Sequence, residues 1–204
     1  MTPKTTIIFD LGNVLIDWNP RYVYRTIFDS EEKIDWFFEN ITTQDWNEQQ
    51  DEGRSLADGT QELVKKHPQH ETEIKAYYGR WTEMLGGAIH DTVEIFRELK
   101  QNNNLRLYGL TNWSAELFPV ALERYDFLQW FEGIVMSGEE RTRKPFPEIY
   151  QTLLSRFNIN PQEAIFIDDS LRNIKGAEAV GIEGIHFTSP AQLRAALITR
   201  GLLH

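Results

Sequence analysis

From residue 88 onward, short apolar runs alternate with amphipathic runs at helical spacing, and this alternation constrains the fold more than any other feature of the chain. It predicts strands over residues 105–110, 134–136, 164–167 and 185–187, and helices over residues 91–100, 114–125, 147–157, 171–180 and 190–197. Residues 5–9 (TTIIF) predict a further, fully buried strand. At least five strands separated by helices are typical of an α/β fold with a Rossmann-like open parallel sheet.

The segment between the first strand and this alternating region has a different pattern. Apolar residues recur at helical spacing over residues 21–84, and four of the six tryptophans lie in or beside this stretch. We therefore expect a catalytic core of residues 1–16 and 88–204 with an α-helical cap, residues 17–87, inserted after the first strand. The break at residues 17–20 and the glycine pair at residues 86–87 predict two hinges, as a lid that excludes water requires.

Charge and composition exclude several classes of partner and site. The net charge of −10 repels nucleic acid and anionic membrane surfaces, so neither is expected as a partner. Without cysteine the chain can form neither disulfides nor thiolate metal sites. Because no apolar run suits a signal peptide or a membrane span, we expect a cytoplasmic protein, with monomer and homodimer both open.

Polar residues follow four of the predicted strands. In chain order these are Asp10 after the first strand, Thr111 and Asn112 after the second, Lys144 in the loop after the third, and Asp168 and Asp169 after the fourth. The carboxyl ends of parallel strands face one crevice, where ligands bind. Carboxylates without imidazoles suit Mg²⁺, and hydroxyl, amide and ammonium groups suit phosphate oxygens. The strand ends together predict a site for a metal ion and a phosphate.

Each of these residues also has a structural alternative. Asp10 could form an Asx-turn or a cap where the strand ends. Thr111, Asn112 and Asp169 could cap the helices that follow them. Lys144 could be a solvated loop residue. Their joint placement at four successive strand ends favours the site over these separate explanations.

The same residues carry a resemblance to a known family. The motifs are Phe9-Asp10-Leu11-Gly12-Asn13-Val14, Leu110-Thr111-Asn112, Arg143-Lys144-Pro145 and Phe166-Ile167-Asp168-Asp169. In this order they resemble the four motifs of the haloacid dehalogenase superfamily, and the predicted insertion lies where that family carries its cap. Residues 144–150 and 168–174 are similar to one branch, which contains bacterial sugar-phosphate phosphatases and the phosphatase domain of soluble epoxide hydrolases.

The resemblance implies a nucleophile and a metal site. Asp10 would attack a phosphoryl group and form an aspartyl-phosphate, which water then cleaves. Mg²⁺ would lie between Asp10, the main-chain carbonyl of Gly12 and Asp169. Asp168 would orient Lys144 or a metal-bound water.

The resemblance also implies how substrate is held. Thr111 and the Asn112 amide would bind the phosphate, and Lys144 would neutralise Asp10 and the developing charge. Residues for specificity are expected mainly in the cap, and the candidates are Trp46, Asn47, Gln50 and Trp113. Trp113 has core packing as its alternative role. The expected function is a Mg²⁺-dependent phosphatase that acts on small phosphorylated metabolites, above all sugar phosphates.

Gly12 departs from the pattern of this family. Most of its phosphatases carry a second aspartate there, which acts as general acid and then as general base, and losing such a group costs about 10²- to 10⁴-fold in rate. A chain with Gly12 is therefore expected to prefer anomeric phosphates such as glucose 1-phosphate, or aryl and acyl phosphates. A replacement from the cap would have to be an acid that reaches the site, and the candidates are Asp17, Glu48, Asp51 and Glu52.

Two other functions stay open at this point. A 2-haloacid dehalogenase also uses an aspartate nucleophile and lacks the second aspartate, but the pair Asp168-Asp169 makes sense for a cation and is costly without one. A catalytically impaired scaffold that acts as a binding module is the other alternative, and Gly12 is the feature that favours it.

Overall fold

The computed structural model describes residues 5–203, so residues 1–4 and 204, at the ends of the predicted core, lie outside the described part of the chain. The strands are β1 (Thr5–Phe9), β2 (Ile16–Trp18), β3 (Leu85–Ala88), β4 (Leu105–Thr111), β5 (Gly133–Met136), β6 (Ala164–Asp168) and β7 (Glu183–His186). The α-helices are α1 (Arg21–Tyr24), α2 (Glu31–Asn40), α3 (Gln44–Asp51), α4 (Leu56–Lys66), α5 (Glu71–Gly79), α6 (His90–Lys100), α7 (Phe118–Arg124), α8 (Ser137–Glu140), α9 (Pro147–Phe157), α10 (Leu171–Ala179) and α11 (Pro190–Thr199). Within residues 5–203, no helix has both the length and the apolar character that crossing a membrane requires.

Five of the strands form one sheet in the order β5-β4-β1-β6-β7, and every neighbouring pair is parallel. The predicted α/β fold with an open parallel sheet is therefore confirmed. The predicted strand bounds differ from the observed ones by one or two residues, as at β7, which begins at Glu183 rather than at residue 185. Such shifts are common because sequence patterns do not show where main-chain pairing ends.

The central strand β1 is buried on both faces. Ile7 and Phe9 belong to the apolar cluster that contains Phe96 of α6, whereas Ile8 belongs to a second cluster with Tyr150 of α9. Successive side chains of a strand point to opposite faces of its sheet, so helices on both sides cover β1. This three-layer packing explains why residues 5–9 are apolar or β-branched without alternation.

The register of β1 places its carboxyl end beside the ends of two neighbours. Phe9 is paired with Gly109 of β4 and with Ile167 of β6. The next residue, Asp10, donates its main-chain N–H to the carbonyl of Ile167 at 2.8 Å. Asp10 therefore leaves the sheet level with Asp168, and the predicted site residues of three strands meet at one edge.

Residues 19–84, between β2 and β3, contain helices α1 to α5, as the helical pattern predicts. Ser30, Thr43 and Ser55 cap α2, α3 and α4 by accepting a hydrogen bond from a main-chain N–H of the first turn. Tyr24 and Phe37, whose tilted rings lie 5.1 Å apart between centroids, are both fully buried in the interior of this segment. The buried aromatic residues of the insertion therefore fill the space between its helices, whereas Tyr22 and Trp36 are exposed.

An antiparallel ribbon of β2 and β3 connects the helical segment to the sheet. The sequence pattern did not indicate this ribbon and predicted a hinge at residues 86–87, yet Gly86 and Gly87 lie within β3. Strands of three and four residues are too short for an alternating pattern to show, and glycine pairs are typical of turns. Gly87 has a φ of +123°, a conformation that glycine adopts without strain.

Replacing Phe96 with alanine should lower the free energy of unfolding by about 3–5 kcal/mol, because the cavity left behind cannot collapse fully. Phe96 is fully buried, 5.3 Å from the ring of Phe9 and 4.4 Å from that of Phe131. Urea unfolding followed by circular dichroism measures the change. The matched control is Ile198→Ala, at a position that is 45% exposed, where a change within about 0.5 kcal/mol is expected. Equal losses in the two variants would contradict this packing.

Candidate active site

The residues that end β1, β4 and β6 line a cavity of about 420 Å³ at the carboxyl edge of the sheet. From the sheet side its lining includes Asp10, Gly12, Thr111, Asn112, Lys144 and Asp169, and from the helical segment it includes Asn47, Glu48 and Asp51. Asp168 lies beneath this lining and is fully buried. The structure therefore brings together all of the predicted nucleophile, metal and phosphate residues.

Lys144 occupies the centre of the site. Its side chain is fully buried, and Nζ lies 2.8 Å from Oδ1 of Asp10 and 2.7 Å from Oδ2 of Asp168. Burial lowers the pKa of Lys144, but the charges of Asp10 and Asp168 outweigh this effect and the net shift is upward. The ammonium group is therefore held in its charged form between two carboxylates, and it is not the solvated loop residue of the alternative interpretation.

Asn112 holds the main chain of Lys144 in place. Its Oδ1 accepts a hydrogen bond from the main-chain N–H of Lys144 at 2.8 Å, and its Nδ2 donates to the carbonyl of the same residue at 3.0 Å. The side-chain amide of Asn112 is thus committed to Lys144. A contact from Asn112 to a phosphate would come from its main-chain N–H.

Asp168 is fixed by several donors. Besides Lys144, its carboxylate accepts a hydrogen bond from the main-chain N–H of Ser170 at 2.7 Å and from Nδ2 of Asn173 at 3.1 Å. Tyr150 in turn donates to the carbonyl of Asn173 at 2.7 Å. Asn173 and Tyr150 were not identified from the sequence, because a polar side chain inside a helical pattern carries no signal of the strand end that it faces.

The site carries more negative than positive charge. One carboxylate oxygen each of Asp10, Asp168 and Asp169 can be chosen so that all lie within 4.8 Å of one another. Burial raises the pKa of Asp10 and outweighs the opposing effect of Lys144. Burial and the charge of Asp168 likewise raise the pKa of Asp169. Three clustered carboxylates facing one ammonium group, all offering oxygen ligands, match the preference of a hard divalent cation.

A smaller pocket of about 80 Å³ opens beside Gly12. Its walls are mainly aromatic and consist of Trp18, Tyr78, Trp81 and Trp113, with Leu117, Asn47, Asp51 and Asn112 completing the lining. A Cβ atom at Gly12 would meet no heavy atom of the described residues within 4 Å. The position where related phosphatases carry a second aspartate therefore faces open space in this chain.

Helix α3 presents its two faces to different surroundings. Asn47 and Asp51 are four residues apart and line both cavities. Trp46 and Gln50, also four residues apart, line neither cavity. The Trp46 indole donates to the carbonyl of Gly59 at 3.0 Å, and Gln50 is fully buried.

The orientation of α3 determines which of the predicted specificity residues reach a cavity. The structure places Asn47 at the wall of both cavities and Trp113 at the wall of the aromatic pocket. It gives Trp46 and Gln50 a packing role inside the helical segment. Residues at i and i+4 share one face of a helix, so the spacing pairs position 47 with 51 and position 46 with 50. The helical spacing in the sequence predicts this pairing, but only the packing of α3 shows which pair faces the cavity.

Charged side chains connect the helical segment to the sheet at the rim of the cavity. Glu48 is 7% exposed and contacts Nη1 of Arg143 at 2.9 Å. Its other carboxylate oxygen contacts Arg172 at the beginning of α10. Because Glu48 bridges two arginines of the sheet side, it fixes α3 against the loop that carries Lys144.

Two comparisons of the sequence place these observations among known proteins. A family model described as haloacid dehalogenase-like hydrolase matches residues 4–181. The chain is 32% identical over 182 residues to a sesquiterpene phosphatase of Aspergillus oryzae, covering 89% of this chain and 88% of that protein. It is 25% identical over 187 residues to a phosphorylated carbohydrates phosphatase of Thermotoga maritima, covering 88% of this chain and 83% of that protein.

The fold is also similar to solved structures. One is a haloacid dehalogenase family enzyme of Bacteroides thetaiotaomicron in complex with magnesium and inorganic phosphate, with a TM-score of 0.66. The match covers 91% of this chain and 94% of that one at 22% sequence identity. At this identity the likeness concerns the fold alone.

Replacing Lys144 with methionine should lower the free energy of unfolding by about 3–5 kcal/mol, because it leaves the buried carboxylates of Asp10 and Asp168 without their partner. Methionine keeps most of the side-chain volume, so loss of packing contributes little. The midpoint of thermal unfolding measures the effect, and Lys175→Met on exposed α10 surface is the control. A variant as stable as the control would show that the buried ion pairs do not support the fold.

Proposed function

The chain belongs to the haloacid dehalogenase-like hydrolase family and is a phosphoric monoester hydrolase, and from this premise we propose that it is a Mg²⁺-dependent phosphatase of small phosphorylated metabolites, above all sugar phosphates. The reaction passes through an aspartyl-phosphate on Asp10. The observation that carries the proposal is the contact of Lys144 with Asp10 and Asp168 at the base of a cavity that Thr111 also lines.

The arrangement supports Asp10 as nucleophile. Its main chain is fixed to β6, and Oδ1 accepts a hydrogen bond from the main-chain N–H of Leu11 at 2.7 Å. In the proposed reaction an Asp10 oxygen attacks phosphorus, and water later cleaves the aspartyl-phosphate. Thr111 and the main-chain N–H of Asn112 bind the phosphate oxygens, while Lys144 balances the negative charge of both reactants.

The residues present fit Mg²⁺. Asp10, Asp169 and the main-chain carbonyl of Gly12 are the proposed ligands, all of them oxygen donors as this ion prefers. When bound, the ion neutralises charge on the phosphoryl group and on the carboxylate cluster. Asp168 is taken up by Lys144, Ser170 and Asn173 and acts on the site through Lys144.

The acidic cluster also separates this proposal from the two other functions that the sequence left open. A metal-free dehalogenase has no use for three clustered carboxylates, whose mutual repulsion is costly without a cation. In a binding scaffold a fully buried lysine between Asp10 and Asp168 would add little net stability to the fold, because the cost of removing these charges from water offsets their attraction.

We propose further that residues 17–87 act as a cap that provides substrate specificity. Their contribution to the cavity combines five hydrogen-bonding side chains, Thr42, Gln44, Asn47, Glu48 and Asp51, with Trp18, Pro20, Phe38 and Tyr77. The hydrogen-bonding side chains suit the hydroxyl groups of a sugar, whereas the hydrocarbon chain of an isoprenoid would form no hydrogen bonds with them. The Thermotoga maritima relative, named for phosphorylated carbohydrates, supports this choice, whereas the relative named for a sesquiterpene supports an apolar leaving group.

Asp10→Asn should abolish phosphate release, because the amide cannot form the aspartyl-phosphate. EDTA should abolish wild-type activity, and added Mg²⁺ should restore it. Phosphate release from glucose 1-phosphate and glucose 6-phosphate is the measurement, with exposed Asp126→Asn as the control that keeps full activity. An EDTA-resistant enzyme would contradict the metal dependence, and an active Asp10→Asn variant would contradict the nucleophile.

Sugar phosphates should be hydrolysed with a higher kcat/KM than farnesyl phosphate, because a hydrocarbon chain forms no hydrogen bonds with the polar side chains of the cap wall. A panel of phosphate esters assayed with Mg²⁺ measures this preference. Gln44→Leu, at another position of the cavity wall, keeps most of the side-chain size but removes its hydrogen bonds, and it should raise KM for sugar phosphates more than it lowers kcat. A panel led by farnesyl phosphate would reverse the substrate assignment and leave the phosphatase activity intact.

A further inference from the structure

We propose that Asp51, the last residue of α3, is the general acid and general base of the reaction and replaces the carboxylate that Gly12 lacks. The inference rests on the proposed function, because it concerns a phosphatase whose nucleophile is Asp10. It assigns to a residue of the helical segment a catalytic role that the first strand and its turn do not supply.

Asp51 stands at the junction of the two cavities. Both the cavity that contains Asp10 and Lys144 and the aromatic pocket beside Gly12 have Asp51 in their walls. The space that a side chain at position 12 would enter is open. A phosphate held at Asp10 would therefore direct its leaving group into a space that Asp51 lines.

The carboxylate of Asp51 is held by a chain of hydrogen bonds from the helical segment. Nδ2 of Asn47 donates to Oδ2 of Asp51 at 2.9 Å, and the hydroxyl of Tyr78 donates to Oδ1 of Asn47 at 2.9 Å. Gln50 then donates to the Tyr78 oxygen at 3.0 Å. Gln50, which packs inside the helical segment, is thus linked through Tyr78 and Asn47 to the carboxylate of Asp51.

The main chain of Asp51 is tied to the sheet side. Its carbonyl accepts a hydrogen bond from the hydroxyl of Ser137 at the beginning of α8. The same hydroxyl accepts from the main-chain N–H of Trp113 at 2.9 Å, in the loop after β4. The helix end that carries Asp51 is therefore placed by the loops that carry the phosphate-binding residues.

The other three acids considered for this role are engaged elsewhere. Asp17 accepts a hydrogen bond from the hydroxyl of Tyr22 at 2.6 Å and is absent from the lining of both cavities. Glu48 is held by Arg143 and Arg172. Glu52 also lines neither cavity.

The surroundings of Asp51 suit a group that must exchange protons near neutral pH. The titratable and charged groups that face it are Glu48, Arg143, Tyr77 and Tyr78. Burial raises the pKa of the Asp51 carboxyl to about 7, and the charge of Glu48 adds to the rise. Arg143 and the hydrogen bond from Asn47 oppose this shift without cancelling it. Both protonation states are therefore populated near neutral pH, where acid and base catalysis are most effective.

The proton balance of the two steps is simple. In the first, an Asp10 oxygen bonds to phosphorus, the bond from phosphorus to the leaving oxygen breaks, and that oxygen takes the proton of Asp51. The alcohol departs and Asp51 is left as a carboxylate. In the second, Asp51 takes a proton from water as the water oxygen bonds to phosphorus, and the bond to Asp10 breaks. Inorganic phosphate and the two starting side chains result.

With Asp51 as general acid, the expected range of substrates differs from the one that Gly12 alone predicts. With Asp51 in place, the wild-type enzyme should hydrolyse glucose 6-phosphate and other primary alkyl phosphates as well as anomeric and aryl ones. The preference for good leaving groups should instead be a property of the Asp51→Asn variant. A wild-type enzyme that hydrolyses aryl and anomeric phosphates but no primary alkyl phosphate would overturn the proposal.

Asp51→Asn should reduce kcat for the best primary alkyl phosphate by about 10²- to 10⁴-fold, the usual effect of removing a general acid. With p-nitrophenyl phosphate, whose leaving group needs no proton, the variant should release one nitrophenolate per enzyme in a burst and then turn over slowly. Asp45→Asn, an exposed position of the same helix, makes the same charge change and should behave as wild type. Equal losses for both substrates without a burst would indicate a structural role only.

Two further measurements separate a catalytic role from a failure to fold. The double variant Gly12→Asp with Asp51→Asn should regain turnover of alkyl phosphates, since the space beside Gly12 accepts a side chain. The kcat/KM of the wild type for an alkyl phosphate should fall above about pH 7, as Asp51 loses its proton, and this decline should be absent in Asp51→Asn. No rescue together with an unchanged pH profile would refute the role of Asp51. If the burst of the Asp51→Asn variant persists after Asp10→Asn is added, it is the proposed nucleophile that fails instead.

Discussion

A lysine ammonium group can be fully buried between two carboxylates only if the surrounding structure holds all three charges at contact distance. Here the sheet does so. The register of β1 and β6 places Asp10 level with Asp168. The Asn112 side chain fixes the main chain of Lys144, whose Nζ lies between the two carboxylates. Asn173 and neighbouring donors satisfy the remaining oxygens of Asp168. The position of Asp10, the proposed nucleophile, depends on this cluster, and so does the surplus of negative charge that suits a cation.

The two parts of the cavity have different physical tasks. In the proposed reaction the sheet side supplies the charges that act on a phosphate, and its groups are fixed by strand register and by buried hydrogen bonds. In the same reaction the helical side meets the leaving group, so we propose that its side chains select the leaving group and supply the proton. Glu48 and Arg143 connect the two sides across the rim, and the bond from Ser137 to the main chain of Asp51 connects them beside the aromatic pocket. A chain with glycine at position 12 can therefore obtain its proton donor from the opposite wall.

The sequence predicted most of the fold because the relevant signals are local. Apolar runs such as residues 5–9 and amphipathic runs such as residues 147–157 report their own secondary structure, and polar residues at strand ends report a common crevice. The β2–β3 ribbon was missed because strands this short depend on pairing between residues about seventy positions apart, here Ile16 with Ala88. Trp46 and Gln50 were grouped with Asn47 because the sequence gives the faces of α3 but not their orientation.

By itself, the sequence determined that an aspartate, a threonine and an acidic pair lie at the ends of three parallel strands and that a lysine lies in the loop after another. It also determined that Gly12 leaves the turn after the first strand without its usual acid. These are properties of residue type and order, and the geometry of a parallel sheet converts them into proximity. Only the tertiary structure decided which acid of the insertion meets Gly12. That choice depends on how α3 packs against α4 and α5 and on where Ser137 and Arg143 attach it to the sheet side. These contacts join residues that are far apart in the chain, so no local pattern records them.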